Sequence, residues 1–160
     1  MNIDIINKTK QKIRAREMAE LAAIFAKKYR LKFSSLAVVF VGRQRIHSLN
    51  RLYRRQDRPT DVLSFSPADF PEAVAELILC PAVIYRTRNY REVFPASPEL
   101  FANNLSAAKK KKLTEYLLFF VLVHGLLHLA GHDDSQESDR LQMLALGQKF
   151  LADQGFLIGQ

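Results

Sequence analysis

Apolar positions change period several times along the chain, and each change marks an element. Residues 3–6 predict a short strand, and the helical spacing of Ile13, Met18, Leu21, Ile24 and Phe25 predicts a helix over 10–29 with those side chains inward. Residues 36–41 form an unbroken run rich in β-branched side chains, as in an inner strand. Over 43–54 the pattern is helical again, with Ile46, Leu49 and Tyr53 on one side and arginines on the other. Pro59 disfavours helix just before it, and 61–66 alternates as a strand does. A proline-bearing loop at 67–71 then leads to a fourth strand at 76–80, and so short a link allows the two to pair antiparallel. Pro81 suits the first turn of a helix over 81–91. The connection at 94–105 and the lysine run at 109–112 read as mobile, 106–130 reads as helix, and a last helix spans 135–154 with Leu141, Leu144, Ala145 and Leu151 inward. Strands with helices before, between and after them give an α/β-type or α+β sandwich, with the helix over 106–130 at its centre.

That central helix carries His124 and His128, four residues apart and therefore on one face, where two ring nitrogens can meet one metal ion. Gly131 offers a place to break the helix and return a third ligand from His132, Asp133 or Asp134, with a fourth position left open. A lone histidine among leucines is ordinarily a core residue. A pair one turn apart, with a glycine and further donors just beyond, favours a metal. Asp134 followed by Glu137 also fits a helix N-cap with glutamate at the third helical position, a role that competes with ligation. Gly125 follows the first histidine, so the general-base glutamate of zinc proteases with this spacing is missing and peptide hydrolysis loses its support.

At 160 residues with 48% hydrophobic side chains, the chain suits one domain with a sizeable core. Cys80, the single cysteine, excludes an internal disulfide and sits in an apolar run that suits burial. The N-terminus has Asp4 and no long apolar stretch behind a basic head, so a cytoplasmic protein is expected. The apolar stretch 116–130 is short of the roughly 20 residues a membrane span needs and is interrupted by both histidines, which makes it a buried core helix. Net charge is +8, with arginines 43, 45, 51, 54, 55 and 58 in one cluster, 86, 88 and 91 in another, and lysines 109–112 in a third. Such clusters favour a polyanion, nucleic acid first.

Two blocks, Leu49-Asn50-Arg51-Leu52-Tyr53-Arg54 through Thr60-Asp61-Val62-Leu63-Ser64-Phe65 and His124 through Asp134, resemble in residue type and spacing the signature of the YbeY family of bacterial ribosomal RNA maturation factors, metal-dependent single-strand endoribonucleases. Element order and approximate length agree over most of the chain. The resemblance implies an α+β fold in a single domain over 1–160: a small mixed four-stranded sheet packed with about five helices, and a central metal-binding helix. It also implies one zinc ion, an RNA substrate in ribosomal RNA maturation and ribosome quality control, and the small ribosomal subunit as partner. The family's third ligand is a histidine ten residues after the first. Asp134 holds that position here, so the implied set is His124, His128 and Asp134, with His132 as a substitute. A carboxylate is an acceptable zinc donor, but its charge makes bound water less acidic than a third imidazole would. Ala75-Glu76 stands where the family usually has Gly-Asp, and 94–112 is longer than typical.

Arg54 matches the family's motif arginine and is the implied catalytic residue, suited to charge developing on a phosphoryl group. Its alternative is a surface pair with Asp57. Arg51, Arg55 and Arg58 are the expected RNA contacts beside it. Two rival classes remain: a ribosome-associated RNA-binding factor whose zinc is structural, and a metallohydrolase of another substrate.

Overall fold

The computed structural model describes residues 1–67 and 74–159. Leu36, Val38 and Phe40 are buried on one side of their strand and Val39 on the other, so this strand lies inside the sheet. Four strands are seen among the described residues: β1 (Asn2–Asn7), β2 (Ser35–Phe40), β3 (Val62–Phe65) and β4 (Ala75–Leu79), in the order β1-β2-β4-β3. The first two pairings are parallel, and β3 runs antiparallel to β4 with Leu63 opposite Ile78. The expected antiparallel pair is therefore present, while residues 68–71 of the loop expected between its strands lie outside the described residues. Expected and observed strand ends differ by one residue at each side.

Five α-helices accompany the sheet in the described residues: α1 (Ala15–Lys28), α2 (Arg43–Arg54), α3 (Pro81–Ile84), α4 (Ala107–Leu129) and α5 (Glu137–Asp153). Helices α1 and α4 pack on the Leu36–Val38–Phe40 side, and α5 backs α4. On the opposite side α2 buries Ile46 and Leu49 against Val39, Leu63 and Ile78 in a smaller core. Helix α4 touches α1, α3, α5, β3 and β4, and the stretch from Tyr116 to Val123 is buried all round. Such a helix is apolar because it is interior on every side. With 23 residues it is long and apolar enough to cross a membrane, longer than the apolar stretch suggested, yet two thirds of its apolar window is buried within this domain.

Several expectations shift, each for a local reason. Helix α1 begins at Ala15 rather than residue 10 because Asn7 and Thr9 side chains capture the intervening backbone: Thr9 N–H donates to Asn7 Oδ1 at 2.9 Å and Gln11 N–H to Thr9 Oγ1 at 3.1 Å. Its inward face is Met18, Leu21, Ala22, Phe25 and Ala26, leaving Ile24 exposed. In α5 the buried set is Met143, Leu144, Gly147, Phe150 and Leu151, so Leu141 and Ala145 face out. Tyr53 is half exposed, its ring set edge-on to Phe65 at 5.1 Å. Helix α3 stops at Ile84, where a β-branched run lowers helix propensity, and a 3₁₀ turn follows at Thr87–Tyr90. The 94–105 connection is pinned: Phe94 and Phe101 are buried and stacked at 6.0 Å, and Phe94 meets Phe120 edge-on at 5.0 Å. The lysine run is the first turn of α4, capped by Ser106 Oγ, which accepts from Lys109 N–H at 3.3 Å. Cys80 is fully buried.

Helix α4 is pressed against the sheet at Gly125. A Cβ there would stand 3.0 Å from Leu77 Cδ2 and 3.1 Å from Val62 Cγ2. Gly125→Val is expected to destabilise the fold by about 1–3 kcal/mol through overpacking, read from the urea midpoint. Gly125→Ala should lose less, because alanine returns about 1 kcal/mol of helix propensity.

Candidate metal centre

Helix α4 ends in a tight reversal. Ala130 caps it, Gly131 adopts φ +93, Gly131 N–H donates to the His128 carbonyl at 3.0 Å, and His132 N–H reaches back to the Leu127 carbonyl at 3.0 Å. This is a Schellman ending, and its left-handed residue favours glycine. Asp133 continues the turn, its Oδ1 accepting from Asp134 N–H at 2.8 Å and Ser135 N–H at 3.3 Å. The chain thus brings Asp134 back beside the histidine face of α4. Helix α5 starts later, with Gln136 at its N-cap and no side-chain cap bond, so the N-cap role considered for Asp134 is not the one it takes.

Asp134 Oδ2 lies 3.4 Å from His124 Nε2 and 3.6 Å from His128 Nε2, and one donor atom from each of the three residues falls within 4.8 Å of the others. These separations exceed a well-formed hydrogen bond. The two separations from Asp134 lie near the ~3.3 Å edge of a tetrahedron of N and O ligands at zinc distances. The donor chemistry therefore fits a bound metal ion. His128 is oriented by its other nitrogen: Nδ1 donates to the His132 carbonyl at 3.2 Å, which leaves the Nε2 lone pair aimed at the cluster. His124 Nδ1 is buried with no hydrogen-bond partner among the described residues.

Burial chiefly lowers the His128 pKa, the charge of His124 lowers it further and Arg54 adds to this, against opposing pulls from Asp134 and the His132 carbonyl. Asp134 is also held below the usual carboxylate value, first by its close polar contact with the His124 ring, with partial burial opposing and the charges of His128 and His124 assisting. Both shifts favour the metal-ready forms, neutral imidazole and ionised carboxylate.

Two clefts of about 450 Å³ each meet at this cluster. His124, Asp134, Arg58, Thr60 and Asp61 line both. Arg54 and His128 line only the more polar of the two. Arg54 Nη2 donates to the Ser64 carbonyl at 3.1 Å, while Asp57 pairs with His47 at 2.8 Å, so the alternative Arg54–Asp57 pair is not formed. Arg58 is placed by Asn50, a buried amide that donates to the Arg58 carbonyl at 2.7 Å. Arg51 and Arg55 are exposed nearby but line neither cleft. His132 sits apart from the cluster as a side chain, its ring edge-on to Tyr29 at 6.2 Å. Sequence reasoning missed the pair of Asp61 and Tyr90, whose hydroxyl donates to Asp61 Oδ2 at 2.7 Å, and the cleft residues Asn89 and Arg140. Asp61 lies in a quoted motif block, but Asn89, Tyr90 and Arg140 carry no local signal.

A family model described as Endoribonuclease YbeY matches residues 3–155. A protein of that description from Latilactobacillus sakei is 30% identical over 97% of this chain and 98% of its own length. Another, from Staphylococcus aureus, is 29% identical over 79% of this chain and 76% of its own length. The solution structure of TM1509 from Thermotoga maritima superposes with a TM-score of 0.57 at 28% identity, covering 94% of this chain and 87% of the other.

The depressed pKa of His128 has a signature in metal-free protein. The native state resists protonation there, so its contribution is present above the ordinary imidazole value of 6.5 and is lost as pH falls through the lowered native value. The urea midpoint of chelator-treated protein should fall between pH 7 and 5, and His128→Gln should fall less. An equal fall in both would contradict this account.

Proposed function

The chain belongs to the Endoribonuclease YbeY family, and on that premise we propose that it is a metal-dependent, single-strand-specific endoribonuclease of ribosomal RNA maturation and ribosome quality control. The observation that carries this reading is the convergence of His124, His128 and Asp134 beside a cleft that also holds Arg54, in a chain of net charge +8. His124, His128 and Asp134 hold one zinc ion in this reading. When bound, the ion supplies Lewis acidity toward a phosphoryl oxygen and toward water.

Arg54 is the catalytic side chain. One of its N–H groups is spent on the Ser64 carbonyl, which fixes the guanidinium, and its other donors remain for phosphoryl oxygens as negative charge develops. Arg58 binds the strand where the two clefts join, and Arg51 and Arg55 contact its backbone outside them. The chain acts as one domain over 1–160, in the cytoplasm, on RNA of the small ribosomal subunit.

Purified protein, assayed for zinc content and for cleavage of single-stranded RNA, tests this. His128→Ala should lose metal and cleavage together. Arg54→Glu should keep its metal and lose at least about 100-fold in cleavage, the scale of removing one charge-stabilising donor. Asp134→Ala should strip zinc more than His132→Ala. Cleavage persisting in metal-free His128→Ala would overturn the proposal, and zinc-loaded wild type that binds RNA without cutting it would leave an RNA-binding factor with a structural ion. RNA affinity should fall steeply with salt, in proportion to the phosphates contacted.

A further inference from the structure

The two clefts that meet at His124 and Asp134 differ in chemistry. The one holding Arg54 is polar throughout much of its wall. The other has an apolar floor built from Val83, Val93, Phe120 and Leu144, with Tyr90 as a side wall, and neither the metal donors nor Arg54 account for it. Its volume, about 450 Å³, is that of a small-molecule site. Two carboxylates, Asp61 and Asp134, face it, and the Arg140 guanidinium is already engaged by Glu137 at 3.0 and 3.1 Å. Arg58, the other cation of the lining, belongs to the junction shared with the Arg54 cleft, so a phosphate is accommodated at that junction, and the apolar floor beyond it offers a phosphate no donor. A flat, neutral group with apolar faces and a polar edge suits that floor.

The rim supplies the matching polar group. Asn89, exposed on the 3₁₀ turn, makes no side-chain hydrogen bond among the described residues, and its amide presents a donor and an acceptor in one plane. Tyr90 is committed elsewhere: its hydroxyl donates to Asp61, whose Oδ1 accepts from Val62 N–H at 2.9 Å, so that wall is rigid. Unstacked bases of single-stranded RNA are recognised by apolar enclosure of the ring and hydrogen bonds to its edge.

We propose that this second cleft is a base-binding subsite, which takes one unstacked base of a single-stranded RNA whose neighbouring phosphate lies in the Arg54 cleft, with Asn89 reading the base edge. It deepens the endoribonuclease reading by giving the enzyme a preference at the nucleotide beside the metal.

The test compares a short single-stranded RNA with a strand of equal length and charge from which every base has been removed. Binding is measured by fluorescence anisotropy with zinc-loaded wild type, Asn89→Trp and Asn89→Ala, and the same samples on a denaturing gel report cleavage. Wild type should prefer the intact strand by about 10-fold or more, the scale of one enclosed base. Asn89→Trp fills the cleft and should abolish most of that preference while leaving the affinity for the abasic strand unchanged. Asn89→Ala should give a smaller loss of the same kind, and it decides the matter if the tryptophan variant does not fold. A wild type indifferent to the bases, or an undiminished preference in folded Asn89 variants, overturns the subsite. RNA cut normally by such a protein would leave the endoribonuclease reading intact. A base preference that depends on Asn89 in a protein that cuts nothing would sustain the subsite and sink the enzyme.

Discussion

The two hydrogen bonds that close α4, from Gly131 N–H to the His128 carbonyl and from His132 N–H to the Leu127 carbonyl, set the orientation of His128 and the return of Asp134. They turn the chain through a left-handed residue, which places the His132 carbonyl where His128 Nδ1 can donate to it and sends Asp134 back across the histidine face. The orientation of one donor and the delivery of another thus come from a single turn of backbone. A residue with a Cβ at Gly131 meets no neighbour, so the requirement for glycine there is one of backbone angle rather than space.

With Asp134 as a third donor, the proposed centre would differ electrostatically from one of three histidines. Two neutral imidazoles and a carboxylate reduce the charge of a divalent ion to one unit, whereas three imidazoles would leave two. The carboxylate strengthens binding by Coulomb attraction and weakens the ion's pull on water and phosphoryl oxygen. Arg54 lines the same cleft and is close enough to depress the His128 pKa, so a divalent ion held by these three side chains would have a fixed cation beside it. In the proposed centre an arginine would matter more than it would beside three histidines.

What could be read from residues alone was what local pattern encodes. Helix α2 has the expected bounds of 43–54, with Ile46 and Leu49 buried and its arginines exposed, and the histidine pair declares itself because i and i+4 share a face in any helix. The competing fates of Asp134 could not be separated locally, since N-cap and ligand differ only in where α5 begins. The inward faces of α1 and α5 were misjudged at Ile24 and Leu141, where an exposed apolar side chain imitates a buried one. Contacts between distant segments were invisible: Tyr90 finds Asp61 across 29 residues, and Phe94 finds Phe120 across the connection that composition alone marks as loose.

The glycine after the first histidine shows why the fold and the chemistry belong together. In sequence, Gly125 reads as the loss of a protease's base. In space, residue 125 is on the side of α4 pressed against the sheet, where even a Cβ would sit tight against Leu77 and Val62 and a longer side chain would have to displace them. A glutamate there is therefore disfavoured by the docking of α4, independently of the reaction. That same contact is used constructively, because Ser64 Oγ on β3 donates to the Gly125 carbonyl at 3.3 Å while the Ser64 carbonyl accepts from Arg54 at 3.1 Å. One strand residue thereby references both the histidine-bearing helix and the arginine, and the spacing between them is held by the sheet rather than by a loop.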